Sequence, residues 1–239
     1  MRMPKKTPPC LLFLGALGVA GALCLTASPD LAPAQPSSAP AKTSAWLGQA
    51  SHMQTTRSNI LLCVGDSIVE GLSLREVAGY AISNAGIGGA GVRTFLHRAG
   101  DILPHERGTT VLLAIGVNDA SRGHAFSAKA WEAEYRELCA QLAAGSARFI
   151  AQTVLPVEKR RPWGEQFFPA ERITAMNDII RSVAKTQGYC LIDMHARFAD
   201  KDGFMPEGAT TDGVHLTSAS YAIWREYWEE QLPRCREGK

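Results

Sequence analysis

The chain has 239 residues, a length that fits one domain with appendages. Hydrophobic residues make up 46% and charged residues 20%, enough apolar material for a sizeable core, which excludes a disordered protein. Three of the 25 basic residues, Arg2, Lys5 and Lys6, fall in the first 27 positions where no acid occurs. Beyond them 22 bases face 23 acids, leaving no basic footprint for nucleic acid.

Residues 11–27 (LLFLGALGVAGALCLTA) form an uncharged apolar run behind those three bases, the pattern of a secretory signal, with Ala32-Pro33-Ala34 as an A-x-A cleavage site. At 17 residues the run is also close to the length of a membrane span. Residues 1–34 are therefore expected to be an export signal or an N-terminal membrane anchor, with a tether through residues 11–27 in the second case. Either reading puts the folded part outside the cytoplasm, periplasmic or secreted. Residues 35–58 are rich in Pro, Ala and Ser and too poor in large apolar side chains for a core, so they read as a linker. The folded domain is expected over 59–235.

Within that domain, short apolar runs alternate with helical segments. Asn59–Val64, Tyr80–Ser83, Thr110–Ile115, Arg148–Val154 and Tyr189–Asp193 have the length of buried strands, are rich in Val, Ile and Leu, and do not alternate with polar residues. That favours a parallel sheet covered on both faces. Ala128–Ala144 and Glu171–Gln187 carry apolar residues at helical spacing, and Thr217–Gln231 reads as a closing helix, giving a βαβαβ order. Trp131, Tyr135 and Leu138 fall on one helix face as core. Of the cysteines in the domain, Cys190 and Cys235 fall at a strand start and at the end of the returning helix, the same edge of such a sheet. They are the pair expected to form a disulfide; free buried thiols are the other reading. Neither the cysteines nor His97, His105, His124 and His195 show a metal-ligand spacing, so no metal and no cofactor are expected.

Working residues of an open parallel sheet lie beyond the carboxyl ends of its strands. After the first run comes Gly65-Asp66-Ser67-Ile68, which places Ser67 at a strand-to-helix turn, either as a helix cap or as a reactive hydroxyl. After the second comes Asn84-Ala85-Gly86-Ile87-Gly88-Gly89-Ala90-Gly91, where the glycines allow a ligand close to the backbone but fit no nucleotide-binding pattern. The third ends in Gly116-Val117-Asn118-Asp119, offering an amide donor from Asn118. Before the last helix, Asp212-Gly213-Val214-His215 spaces a carboxylate and an imidazole so that the acid can hold one ring nitrogen while the other takes a proton. Pro156–Ala170 is long enough to overhang the crevice. Its Trp163, Phe167 and Phe168 either line the substrate pocket or pin the loop to the scaffold, and its Lys159, Arg160 and Arg161 read as a solvated charge run.

Taken in order, Ser67, Gly89, Asn118 and His215 resemble the four signature blocks of the SGNH/GDSL hydrolase (esterase/lipase) superfamily, over about residues 59–232. Gly-Asp-Ser-Ile stands where that family has Gly-Asp-Ser-Leu, and Gly-Val-Asn-Asp where it often has Gly-Thr-Asn-Asp. The resemblance implies a flavodoxin-like three-layer α/β/α sandwich with a five-stranded parallel sheet in the order 2-1-3-4-5. It further implies acyl hydrolysis through an acyl-enzyme, with Ser67, Asp212 and His215 as the catalytic set and Ser67, Gly89 and Asn118 as the oxyanion hole. An α/β-hydrolase is disfavoured, because G-x-S-x-G is absent. The expected substrate is a small-molecule, glycan or lipid ester carrying acetyl or another short acyl group. An O-acyltransferase acting on a polysaccharide, a lysophospholipase or thioesterase-like lipolytic enzyme, and a non-catalytic glycan-binding domain are the competing functions.

Overall fold

The computed structural model describes residues 59–102 and 108–237. The expected export segment, the linker and His105 lie outside the described residues. Among the described residues no helix is long and apolar enough to cross a membrane.

The centre of the domain is built from three strands, β1 (Ile60–Gly65), β4 (Thr110–Ala114) and β5 (Arg148–Gln152). Apart from their first residues, Ile60 and Arg148, β1 and β5 are buried, and β4 is buried throughout. Continuous burial of this kind requires helices on both faces of the sheet. On one face α4 (Ala128–Ala144) packs against α2 (Val92–Leu96) and α5 (Ala170–Gln187). Its buried stripe is Trp131, Tyr135, Leu138, Cys139 and Leu142, the helical spacing read from the sequence. Ser127 caps its first turn by accepting from the Ala130 N–H, and α5 ends at Gly188 in the left-handed region. On the other face lie α1 (Ser67–Glu70) and α7 (Ser218–Glu237), joined by a hydrogen bond from the Tyr221 hydroxyl to the Ile68 carbonyl at 2.8 Å. The buried side of α7 carries Ser220, Trp224, Trp228 and Leu232 at intervals of four, and the Trp228 indole N–H donates to the buried Gln152 amide oxygen at 2.8 Å.

With β3 (Tyr80–Gly86) and β6 (Cys190–Ile192), the parallel strands run β3-β1-β4-β5-β6, the 2-1-3-4-5 order expected. The sheet nevertheless has six strands rather than five. Glu76–Val77 (β2) folds back through Ala78 and Gly79, both at positive φ (49° and 75°), and pairs antiparallel with β3 at the edge. A strand of two residues is too short to leave a period in the sequence. Three short helices also went unread, α2, α3 (Ala99–Ile102) and α6 (Met194–Phe198). At the amino ends of the strands, Cys190 is bonded to Cys235 with a Cα–Cα distance of 5.5 Å, while Cys63 and Cys139 remain buried free thiols.

Register decides what the carboxyl ends present. Gly65 pairs with Gly86 on one side and Ala114 on the other, so the loops after β1, β3 and β4 leave the sheet at one level. Those loops hold Ser67, Gly89 and Asn118.

Candidate active site

The turn after β1 is capped by Asp66, not by the serine. Its buried carboxylate accepts the Ile68 N–H at 2.9 Å, which leaves Ser67 as the first helical residue with its hydroxyl available for another partner. Burial pushes the Asp66 carboxyl up to about 7, with the Ile68 N–H and His215 pulling the other way and Asp119 adding to the rise.

The partner of Ser67 is 148 residues away. Ser67 Oγ lies 2.8 Å from His215 Nε2, and His215 Nδ1 lies 2.6 Å from Asp212 Oδ2. The second carboxylate oxygen of Asp212 accepts the backbone N–H groups of Val214 (3.0 Å) and His215 (2.9 Å), so the Asp-x-x-His turn orients its own acid. Partial burial works to raise the Asp212 carboxyl, but the His215 ring and those two N–H groups outweigh it and hold it below the usual carboxylate value. A carboxylate held ionised at Nδ1 favours the tautomer in which Nδ1 carries the proton and Nε2 is the acceptor facing Ser67. Such a line can draw a proton from a hydroxyl. The His215 side chain is about half exposed (48%).

Two further segments close on this line. A Cβ placed on Gly88 would lie 4.0 Å from Ser67 Cβ, which sets the glycine turn beside the serine, and Gly89 takes φ +74° in that turn. Asn118 Nδ2 donates to the Ala90 carbonyl at 2.9 Å, and the Asp119 carboxylate accepts the Val92 N–H at 3.1 and 3.3 Å. The loop after β4 thus grips the loop after β3. Asn84 ties that turn to α1: its amide donates to the Val69 carbonyl at 2.7 Å and accepts the Gly86 N–H at 2.9 Å. The structure therefore gathers Ser67, Gly89, Asn118, Asp212 and His215 at one place above the sheet.

The sequence model of the GDSL-like lipase/acylhydrolase family matches residues 63–223, a span that includes every one of these side chains. The chain belongs to the GDSL-like lipase/acylhydrolase family. No curated protein matches this GDSL-like hydrolase. Solved structures share its fold. A Streptococcus pneumonia protein named as a platelet activating factor aligns with TM-score 0.65 at 23% identity, over 76% of this chain and 86% of the other. A variant of an acetyl-xylooligosaccharide esterase from Geobacillus stearothermophilus aligns with TM-score 0.61 at 20% identity, over 75% and 96%. A GDSL-like lipase from Bacteroides thetaiotaomicron aligns with TM-score 0.62 at 21% identity, over 79% and 95%.

In this GDSL-like hydrolase the loop after β5 separates the two readings of its aromatic residues. Phe168 is half-buried and packs against the core, so it pins the loop. Trp163 (51% exposed) and Phe167 (41%) do not; their rings lie against each other with centroids 4.8 Å apart. The backbone beneath them is fixed at two points, the Trp163 N–H donating to the Asp212 carbonyl at 3.0 Å and the Arg122 N–H to the Phe167 carbonyl at 2.8 Å. The charge run in the same loop is only partly solvated. Arg161 pairs with Glu158 at 3.2 Å and the Lys159 ammonium sits 4.9 Å over the Phe204 ring, while Arg160 is exposed. Sequence reasoning missed Glu158, a buried carboxylate inside a run of charges that reads as surface.

Proposed function

We propose that the protein is an exported serine carboxylic-ester hydrolase that removes acetyl or other short acyl groups through an acyl-enzyme intermediate. The observation that carries this reading is the unbroken line from Ser67 Oγ through His215 to Asp212, at 2.8 and 2.6 Å. Ser67 attacks the ester carbonyl carbon as its proton passes to His215 Nε2. The tetrahedral intermediate collapses, and the departing alkoxide takes that proton from His215. Water then attacks the acyl-Ser67 ester, its proton moving to His215 and from there to Ser67 Oγ as the carboxylic acid leaves. Asp212 holds the ring and stabilises the imidazolium without taking the proton itself.

The oxyanion is held by the backbone N–H groups of Ser67 and Gly89 and by the Asn118 side-chain amide. One Asn118 N–H is committed to the Ala90 carbonyl, which orients the amide and leaves its second N–H for the substrate. The exposed Trp163 and Phe167 rings, tilted to each other by 43° on a loop bonded to Asp212, offer aromatic surface on which a sugar ring can stack, which favours an ester carried on a glycan. The acetyl-xylooligosaccharide esterase among the proteins of the same fold is consistent with that choice. The Cys190–Cys235 disulfide supports an oxidising compartment, in keeping with export.

The test is a p-nitrophenyl ester series from acetate to octanoate with the parent protein and Ser67→Ala. A preference for acetate, lost by a factor of at least about 10⁴ in Ser67→Ala, is expected. Undiminished turnover by Ser67→Ala would sink the assignment. Product analysis with an acyl donor and a glycan separates hydrolysis from acyl transfer.

A further inference from the structure

Between the aromatic loop and the acid–base turn lies a buried relay that includes none of the signature residues. The Glu158 side chain is 2% exposed. Its Oε1 accepts from the Thr210 N–H at 2.7 Å and from the Thr210 hydroxyl at 2.6 Å, and its Oε2 accepts from Arg161 Nε at 3.2 Å. Burial works to raise this carboxyl, yet the Thr210 and Arg161 donors, with the Gly208 N–H, hold it below its ordinary value, so it stays an ionised acceptor.

Because the Thr210 proton is committed to Glu158, the hydroxyl oxygen accepts the Gly213 N–H at 2.7 Å. On the other side of the same residue, the Glu158 N–H donates to the Gly213 carbonyl at 2.9 Å. Gly213 is thereby held at both its donor and its acceptor, and it is the residue that follows Asp212 in the turn ending at His215. The fit is tight: Gly213 takes φ +117°, and a Cβ there would lie 2.6 Å from Gly164 N. The turn is closed below by the Thr211 N–H donating to the His215 carbonyl at 2.8 Å.

We infer that Glu158 is a positioning residue, which acts through Thr210 and Gly213 to fix the Asp212–His215 turn where His215 Nε2 meets Ser67 Oγ. This rests on the hydrolase reading of that site. What the relay requires is an acceptor at Oε1 and a hydroxyl at residue 210, and the negative charge of Glu158 is offset by Arg161. A shift of about an ångström in a reacting group costs on the order of 10²-fold in rate, so loosening the turn acts on kcat while substrate binding is untouched.

The test uses Glu158→Ala, Glu158→Gln, Thr210→Val and Thr210→Ser, with p-nitrophenyl acetate as substrate and active sites counted by complete fluorophosphonate labelling. Glu158→Ala and Thr210→Val are expected to lower kcat per active site by about 10- to 100-fold with KM within about twofold. Glu158→Gln keeps the Oε1 acceptor and Thr210→Ser keeps the hydroxyl, and both are expected to restore kcat to within about threefold of the parent. The inference is overturned if Glu158→Ala and Thr210→Val lower only the melting temperature or the yield of active sites while kcat per site stays at the parent value. Should Glu158→Ala not fold, Thr210→Val decides by the same criterion. Retained activity in Ser67→Ala would remove the hydrolase reading itself, whereas an inactive Ser67→Ala beside unaltered Glu158 and Thr210 variants would remove only this inference.

Discussion

At the carboxyl ends of the strands, five loops meet through non-covalent contacts, among them the hydrogen bonds of Ser67 to His215, Asn118 to Ala90, Asp119 to Val92 and Glu158 to Thr210. At the amino ends the fastening is covalent, with Cys190 bonded to Cys235 and the Arg148 guanidinium donating to the Cys235 carbonyl. A groove of about 490 Å³ lies at the amino ends, lined by Arg148, Phe149, Lys185, Tyr189 and the disulfide, and includes none of the signature residues. The proposed chemistry is therefore assigned by convergence of polar groups on one point and not by volume. A large hollow without convergent donors and acceptors offers a reacting group nothing to bind it.

If this division holds, substitutions at the two ends should have separable effects. Asn118→Ala should lower kcat on p-nitrophenyl acetate by about 10²–10³-fold, the usual consequence of removing one oxyanion donor, the role proposed for this amide, with little change in melting temperature. Cys235→Ser should do the reverse: a 45-residue closure predicts a loss of about 2–5 kcal/mol in denaturant unfolding, with kcat unchanged wherever the protein remains folded. A parallel fall in kcat would show that the ends are coupled through α7.

Asp66 allows a pH-resolved comparison. Its carboxyl is raised from 3.8 to about 7 in the folded state, so between about pH 4 and 7 the folded protein holds the proton that the unfolded chain has lost. Stability from this group is present at low pH and falls as pH rises through that window. Asp66→Asn, which still accepts the Ile68 N–H, should abolish that decline when melting temperature is followed against pH. The smallest effect is expected from Trp163→Ala: a rise of about 3–10-fold in KM for an acetylated oligosaccharide, from losing an aromatic contact of about 1 kcal/mol, and no change with p-nitrophenyl acetate.

Much of this arrangement was legible beforehand because it is local or periodic. The buried runs around Leu61–Val64 and Val111–Leu113 announce central strands by their lack of alternation, the Trp131–Leu142 stripe announces α4, and Asp212-x-x-His215 places an acid within reach of an imidazole over three residues. The bond between Cys190 and Cys235 was one of the two readings left open by where a strand begins and a helix ends, and the structure decides for it. The illegible features depend on partners distant in the chain. Glu158 sits beside Lys159, Arg160 and Arg161 and looks like surface until Thr210, 52 residues later, covers it. Ser67 and Asp66 compete for one capping role, and only the φ/ψ of the turn decides that Asp66 takes it. Trp163 and Phe168 are both aromatic residues of one loop, yet one is exposed and the other packed, a difference that rests on which side of the loop backbone faces the core. Asn177, an amide within an apolar helix stripe, is buried because it bonds both the N–H and the carbonyl of Val154.

The disulfide has a practical corollary. Ile60 opens β1 at the same pole where Cys235 is bonded to the start of β6, so the described part of the chain begins and ends opposite Ser67 and His215. Held to a bead, a surface or a fusion partner at residue 59 or 237, the domain would present Ser67 and His215 outward, and bulky polymers could approach them without meeting the support.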